Sequence, residues 1–171
     1  MDIQIRNAVP EDAKAIQIIS AAGYKRSFAG IHSAEYLNKK LAEYLSDSRR
    51  EKIIKTICDK NQINIVITTQ NNTIVGHLWG RKDDNNIWQL VALYVDDTVI
   101  GDIKFALSLV KEFSKRIKQD GADKFTTGTL TGSRVCKLYE LLGGKKIKEF
   151  INEKRDNVSE TEFEFDVNRF L

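Results

Sequence analysis

The stretch LYVDDTVIGDIKFALSLV (residues 93–110) opens on a β-rich run and closes on apolar residues at helical spacing, so it reads as strand, turn and helix. From Asp102 onward Ala106, Leu109, Val110, Phe113 and Ile117 form one stripe. Lys111, Glu112, Lys115, Arg116 and Lys118 fall off that stripe, and Gly121 closes the helix. A helix start carries backbone N–H groups with no internal partner and the positive end of the helix dipole. Such a turn can hold a diphosphate with little side-chain help.

Working outward, IQIRNA (residues 3–8) alternates as a short strand, and VPEDAKAIQIISAAG (residues 9–23) has Pro10, Glu11 and Asp12 at a helix start, with Gly23 as its expected end. Leu37, Leu41, Tyr44 and Leu45, then Ile53, Ile54 and Ile57, predict two helices separated by the capping segment SDS (residues 46–48). Residues 63–95 hold three β-rich runs parted by QNN and KDDNN, which predicts an antiparallel meander. Beyond Gly121 follow a strand KFTTGTL, a helix SRVCKLYELLG, a strand KKIKEFI and a strand TEFEFDV, whose Phe163, Phe165 and Val167 alternate with acids. The expected class is α/β.

With 171 residues, 42% hydrophobic and 30% charged, the chain fits one folded domain spanning residues 1–171. A net charge of +3, from 27 basic against 24 acidic residues, argues against nucleic acid or an anionic membrane as partner. Cys58 and Cys136 lie far apart and outside any C-x-x-C pair; they read as buried apolar fillers in a reducing compartment. No basic region precedes an apolar block near the N-terminus, and the expected location is the cytoplasm.

Familiar catalytic signatures are missing: there is no G-x-S-x-G, no G-K-[ST] loop, no H-E-x-x-H and no G-x-G-x-x-G. His32 and His77 are the only histidines, too few for a histidine cluster, and no metal is expected.

The order of elements and three stretches together resemble the GNAT superfamily of N-acetyltransferases. LYVDD (93–97) is similar to that family's fourth strand and following turn. GSRVCKLYELLGGKKI (132–147) is similar to its late segment N-x-x-A-x-x-F-Y-E-x-L-G-F. YKRSFAGIHSAEYL (24–37) is similar to its substrate-side stretch. The resemblance implies a mixed, mostly antiparallel twisted sheet of six to seven strands flanked by helices, with acetyl-CoA as the acetyl donor. Its diphosphate signature R-x-x-G-x-G/A departs here. One alignment sets Gly101, Lys104 and Ala106 on the three marked positions, and another puts isoleucine where arginine belongs.

The cofactor-binding residues implied by the resemblance are Leu93, Tyr94 and Val95, then Gly101, Asp102, Ile103, Lys104, Phe105 and Ala106, then Gly132, Val135 and Tyr139. Tyr139 matches the tyrosine that protonates the departing thiolate; a core tyrosine bonded to a backbone carbonyl is the other reading. A backbone N–H near Leu93 would polarise the acetyl carbonyl. Gln89 sits where relatives often carry a glutamate base, and its amide can only orient water or substrate. The expected substrate side comprises Tyr24, Phe28, Ile31, His32 and Trp79, around a small-molecule amine or a peptide or protein amine. Both His32 and His77 have the intrinsic pKa of a base, but a surface or hydrogen-bonded histidine is the favoured reading of each, with His32 the better candidate base by position. A monomer or homodimer is expected, and a non-catalytic acyl-CoA-binding or protein-interaction module with the same fold is the alternative.

Overall fold

The computed structural model describes residues 3–171. In chain order it contains β1 (Ile3–Asn7), α1 (Ala13–Phe28), α2 (Ala34–Tyr44), α3 (Asp47–Cys58), β2 (Ile63–Thr69), β3 (Ile74–Lys82) and β4 (Trp88–Val95). Then come α4 (Ile103–Gln119), β5 (Lys124–Leu130), α5 (Arg134–Leu141), β6 (Lys145–Asn152) and β7 (Val158–Asp166). The strands form one sheet in the order β1-β2-β3-β4-β5-β7-β6. Every pairing is antiparallel except β4 with β5. This is the α/β, mostly antiparallel architecture expected, with seven strands.

Local chemistry sets the boundaries. The QNN and KDDNN turns place Asn72 (φ 58°) and Asn86 (φ 62°) in the left-handed region, which asparagine tolerates better than most side chains. Ser33, Ser46, Asp102 and Ser133 cap α2, α3, α4 and α5, each side chain accepting from a backbone N–H two or three residues on. Gly23 does not end α1 as expected. The helix runs through it to Phe28, because a β-carbon at Gly23 would overlap the ring of Tyr94, and the glycine serves close packing rather than termination.

Two packed layers cover the sheet. On one side α4 and α5 bury Leu109, Phe113, Ile117 and Tyr139 against Leu78, Phe125, Phe163 and Phe165. On the other side α1 and α3 bury Ala13, Ile16 and Ile53 on Val66. Cys136 belongs to the first layer. Cys58, expected to be buried, is exposed at the last position of α3.

The sheet has one incomplete seam. β4 and β5 pair only at Gln89↔Thr126 and Leu90↔Thr127 and then part. The β3–β4 register slips beside this point, between Trp79↔Ala92 and Gly80↔Leu90, leaving Val91 as the extra residue of a bulge. No helix among the described residues is long and apolar enough to cross a membrane.

Candidate active site

Where β4 leaves β5, a cleft of about 290 Å³ opens between the end of β4, the start of α4, α5 and the last turn of α1. It brings together Leu93, Tyr94, Val95, Ala106, Val135 and Tyr139 from the residues expected to hold a cofactor. Two arginines, Arg26 and Arg134, also line it. The Arg26 guanidinium donates to the Val95 carbonyl at 3.0 Å and pairs with Asp97. Arg134 is exposed at the start of α5 and has no ion pair among the described residues.

The mouth of α4 is arranged differently from a bare helix start. The Asp96 carboxylate accepts from Thr98 N (2.9 Å), and Asp102 accepts from Lys104 N (3.1 Å) and pairs with the Lys104 ammonium (2.8 Å). Part of the donor set that would face a diphosphate is therefore already bonded to carboxylates of the chain itself. Gly101 adopts φ 93° in the turn and Gly132 adopts φ 78° between β5 and α5; neither lines the cleft. Phe105 points into the core, with the Lys104 ammonium 5.2 Å from its ring centre, and Ile103 is half-exposed. A small apolar cavity bounded by Ile103, Leu93, Ala106 and Tyr139 adjoins the cleft.

Tyr139 is buried, its ring edge-on to Phe163 and Phe165. The backbone holds it in turn, since Gly144 N donates to the Tyr139 carbonyl at 2.8 Å. Burial raises its phenol above the ordinary tyrosine value, opposed by a hydrogen bond with Thr127. Thr127 itself donates to the Leu90 carbonyl at 2.9 Å, at the last paired position before the strands part. The phenol thus stands at the seam in its protonated form.

Gln89 belongs to a second cleft at the same seam, of about 290 Å³, shared with Thr126, Gly128, Arg155, Glu160 and Glu162. Glu160 is buried and bonded to Arg155 (2.8 Å) and Asn152 (2.9 Å). Glu162 has no ion pair among the described residues. Phe163 and Phe165 turn toward α5, so the alternating glutamates of β7 face the opposite way, toward the side that carries α1.

The expected substrate residues separate. Tyr24, Phe28, Ile31 and His32 form an aromatic cluster beside Leu130. Its polar thread is Tyr24 Oη with His32 Nε2 (2.8 Å), Arg155 Nη2 donating to Tyr24 Oη (3.3 Å), and Asp156 3.7 Å from His32 Nδ1. Burial lowers the His32 pKa, Arg155 adding to the drop and Asp156 opposing it. Trp79 stands apart, on β3, its indole N–H donating to Gln62 at 2.7 Å. Arg26, Arg134 and Glu162 went unread in the sequence. Arg26 and Arg134 lie inside the motif stretches, but nothing local distinguishes an arginine facing a cleft from one facing water. Among the described residues no group of three or more His, Cys, Asp or Glu is placed to hold a metal ion.

No family model matches the sequence, and no curated protein matches it. Solved structures do match in shape. The PaiA N-acetyltransferase of Thermoplasma acidophilum, solved in complex with coenzyme A, superposes with a TM-score of 0.74 at 21% identity, over 94% of this chain and 98% of that one. A GCN5-related N-acetyltransferase of Rhodopseudomonas palustris gives 0.77 at 17% identity, over 97% and 96% of the two chains. The spermidine N-acetyltransferase SpeG of Vibrio cholerae gives 0.70 at 14%, over 99% and 96%. With the strand order, the parted β4–β5 seam and these superpositions together, the chain has the fold of the GNAT N-acetyltransferases.

Proposed function

We propose that residues 1–171 act as one acetyltransferase domain, moving an acetyl group from acetyl-CoA to an amine by direct attack in a ternary complex. The observation that carries this reading is the buried, protonated Tyr139 at the point where β4 parts from β5. Acetyl-CoA supplies the activated thioester. The backbone of Leu93 to Val95, free of β5, polarises the acetyl carbonyl, and Tyr139 donates its proton to the departing sulfur. Arg134, which has no ion pair among the described residues, provides positive charge for phosphate at the cleft. Gln89 orients the amine, and Glu162, an unpaired carboxylate at the same seam, takes the proton that the amine loses.

The test is acetyl-CoA turnover over a panel of amines, with Tyr139→Phe beside the wild type. The variant loses on the order of a hundredfold in kcat while coenzyme A affinity, measured by calorimetry, stays within about threefold. Undiminished turnover in Tyr139→Phe removes the acid role. The second reading, a non-catalytic acyl-CoA-binding module, is favoured by the carboxylate of Asp102 on the α4 mouth and that of Asp96 in the turn before it. Coenzyme A binding with no turnover on any amine selects it.

A further inference from the structure

A third cleft, of about 280 Å³, opens on the α1 and α3 side of the sheet, between Arg49 and Lys52 of α3 and His77, Trp79 and Arg81 of β3. Three cations line it and no carboxylate does. Among the described residues none of the three has an ion pair. The two guanidinium groups lie over aromatic faces instead, Arg49 4.8 Å from the Tyr44 ring centre and Arg81 5.7 Å from that of Trp79. Arg49 Nε is buried with no acceptor. Two carboxylates feel charges of this cleft, and each is committed elsewhere: Glu43 to Lys40 (2.8 Å) and Asp12 to Arg6 (2.6 Å).

His77 adds a second incomplete group, and its polarity can be read from its neighbours. Asn64 Nδ2 donates to the Thr56 carbonyl at 2.9 Å, which turns Asn64 Oδ1 toward His77 Nε2 at 3.3 Å. In a neutral ring Nε2 then carries the proton, and Nδ1 is a lone-pair acceptor. Nδ1 is buried and has no donor. A buried guanidinium nitrogen without an acceptor and a buried imidazole acceptor without a donor, on one cleft, both point to a ligand that supplies the missing partners.

Position ties this cleft to the seam. Trp79 is in register with Ala92 of β4 and Arg81 with Gln89, so these pairs share a face, and Gln89 lines the seam cleft that holds Glu162. At a strand spacing of about 4.8 Å, β3 and its Arg81 stand roughly 5–10 Å from the seam. One face of the sheet therefore runs from the unpaired cations beside β3 to the unpaired carboxylate of Glu162 on β7.

Resting on the acetyl-transfer reading above, we propose that the acceptor is an amine that also carries a carboxylate. Its amine lies at the β4–β5 seam, and its acid group is held by Arg49, Lys52 and Arg81, with His77 Nδ1 accepting from an N–H or O–H of the same molecule. The probes are the ω-amino acids from glycine to 6-aminohexanoate and 2-hydroxy counterparts of the longer ones, whose hydroxyl can donate to His77 Nδ1, each paired with its own carboxamide. Calorimetry on the protein alone reads binding, and acetyl-CoA turnover reads acetylation. The acids bind and react at least tenfold better than their amides, and Arg49→Gln/Arg81→Gln abolishes that preference while coenzyme A affinity is retained. Should the double variant fail to fold, the exposed Lys52→Gln reports the same preference with a smaller loss. Equal handling of acid and amide by the wild type, or a preference that survives in the variants, overturns the proposal. Acid-selective binding without acetylation of any probe supports the anion site and removes the transfer reading instead.

Discussion

His77 is buried, and desolvation together with Arg49 pulls its imidazole from 6.5 down to about 3. The unfolded chain takes up a proton near pH 6.5, whereas the folded one resists until about 3, so the unfolded state binds more protons in between. Stability from this residue is full above pH 6.5 and falls as pH drops, by up to about 1.4 kcal/mol per unit. The lowered His32 acts in the same sense. Urea unfolding of the wild type between pH 7 and 4.5 is expected to show this slope, and His77→Gln to flatten it. At the scale of single residues the sequence was unevenly legible. That Tyr139 would line the cleft was readable because KLYELLGG resembles a known family segment. Arg49, Lys52 and Arg81 were not, since α3 and β3 bring them together only after folding.

Among the elements, α1 and α4 carry the sharpest tests. Gly23→Ala improves helix propensity by up to about 1 kcal/mol in an exposed helix, yet here the new methyl meets the Tyr94 ring. A net loss of about 1–3 kcal/mol is expected, read as a lower urea midpoint with unchanged slope. The sequence misled at this position because a helix-ending glycine and a close-contact glycine are the same letter; only the partner ring, supplied by β4, tells them apart. For α4, Asp102→Asn keeps a capping side chain while removing its charge from the helix mouth. Coenzyme A should then bind more tightly, and Arg134→Ala should weaken it about tenfold to a hundredfold, both by calorimetry. Unchanged affinity in both variants would separate the phosphate from this end of the cleft.

At the level of the whole molecule, the element order was legible because the periods of two and of helical spacing alternate cleanly along the chain, while the mostly antiparallel sheet followed from the family resemblance. The extent of the seam was not legible, since it depends on how far two parallel strands run together, which no local pattern records. Coenzyme A at a hundredfold excess over its Kd should stabilise the fold by about 2.7 kcal/mol and slow hydrogen exchange of β4 amides beyond Leu90. The two-pair contact between β4 and β5 has a mechanical side as well. A force applied across the sheet would strain that line first among the strand pairings, with the α4–α5 layer bridging both sides, and a ligand wedged there would act as the rivet that raises the force required.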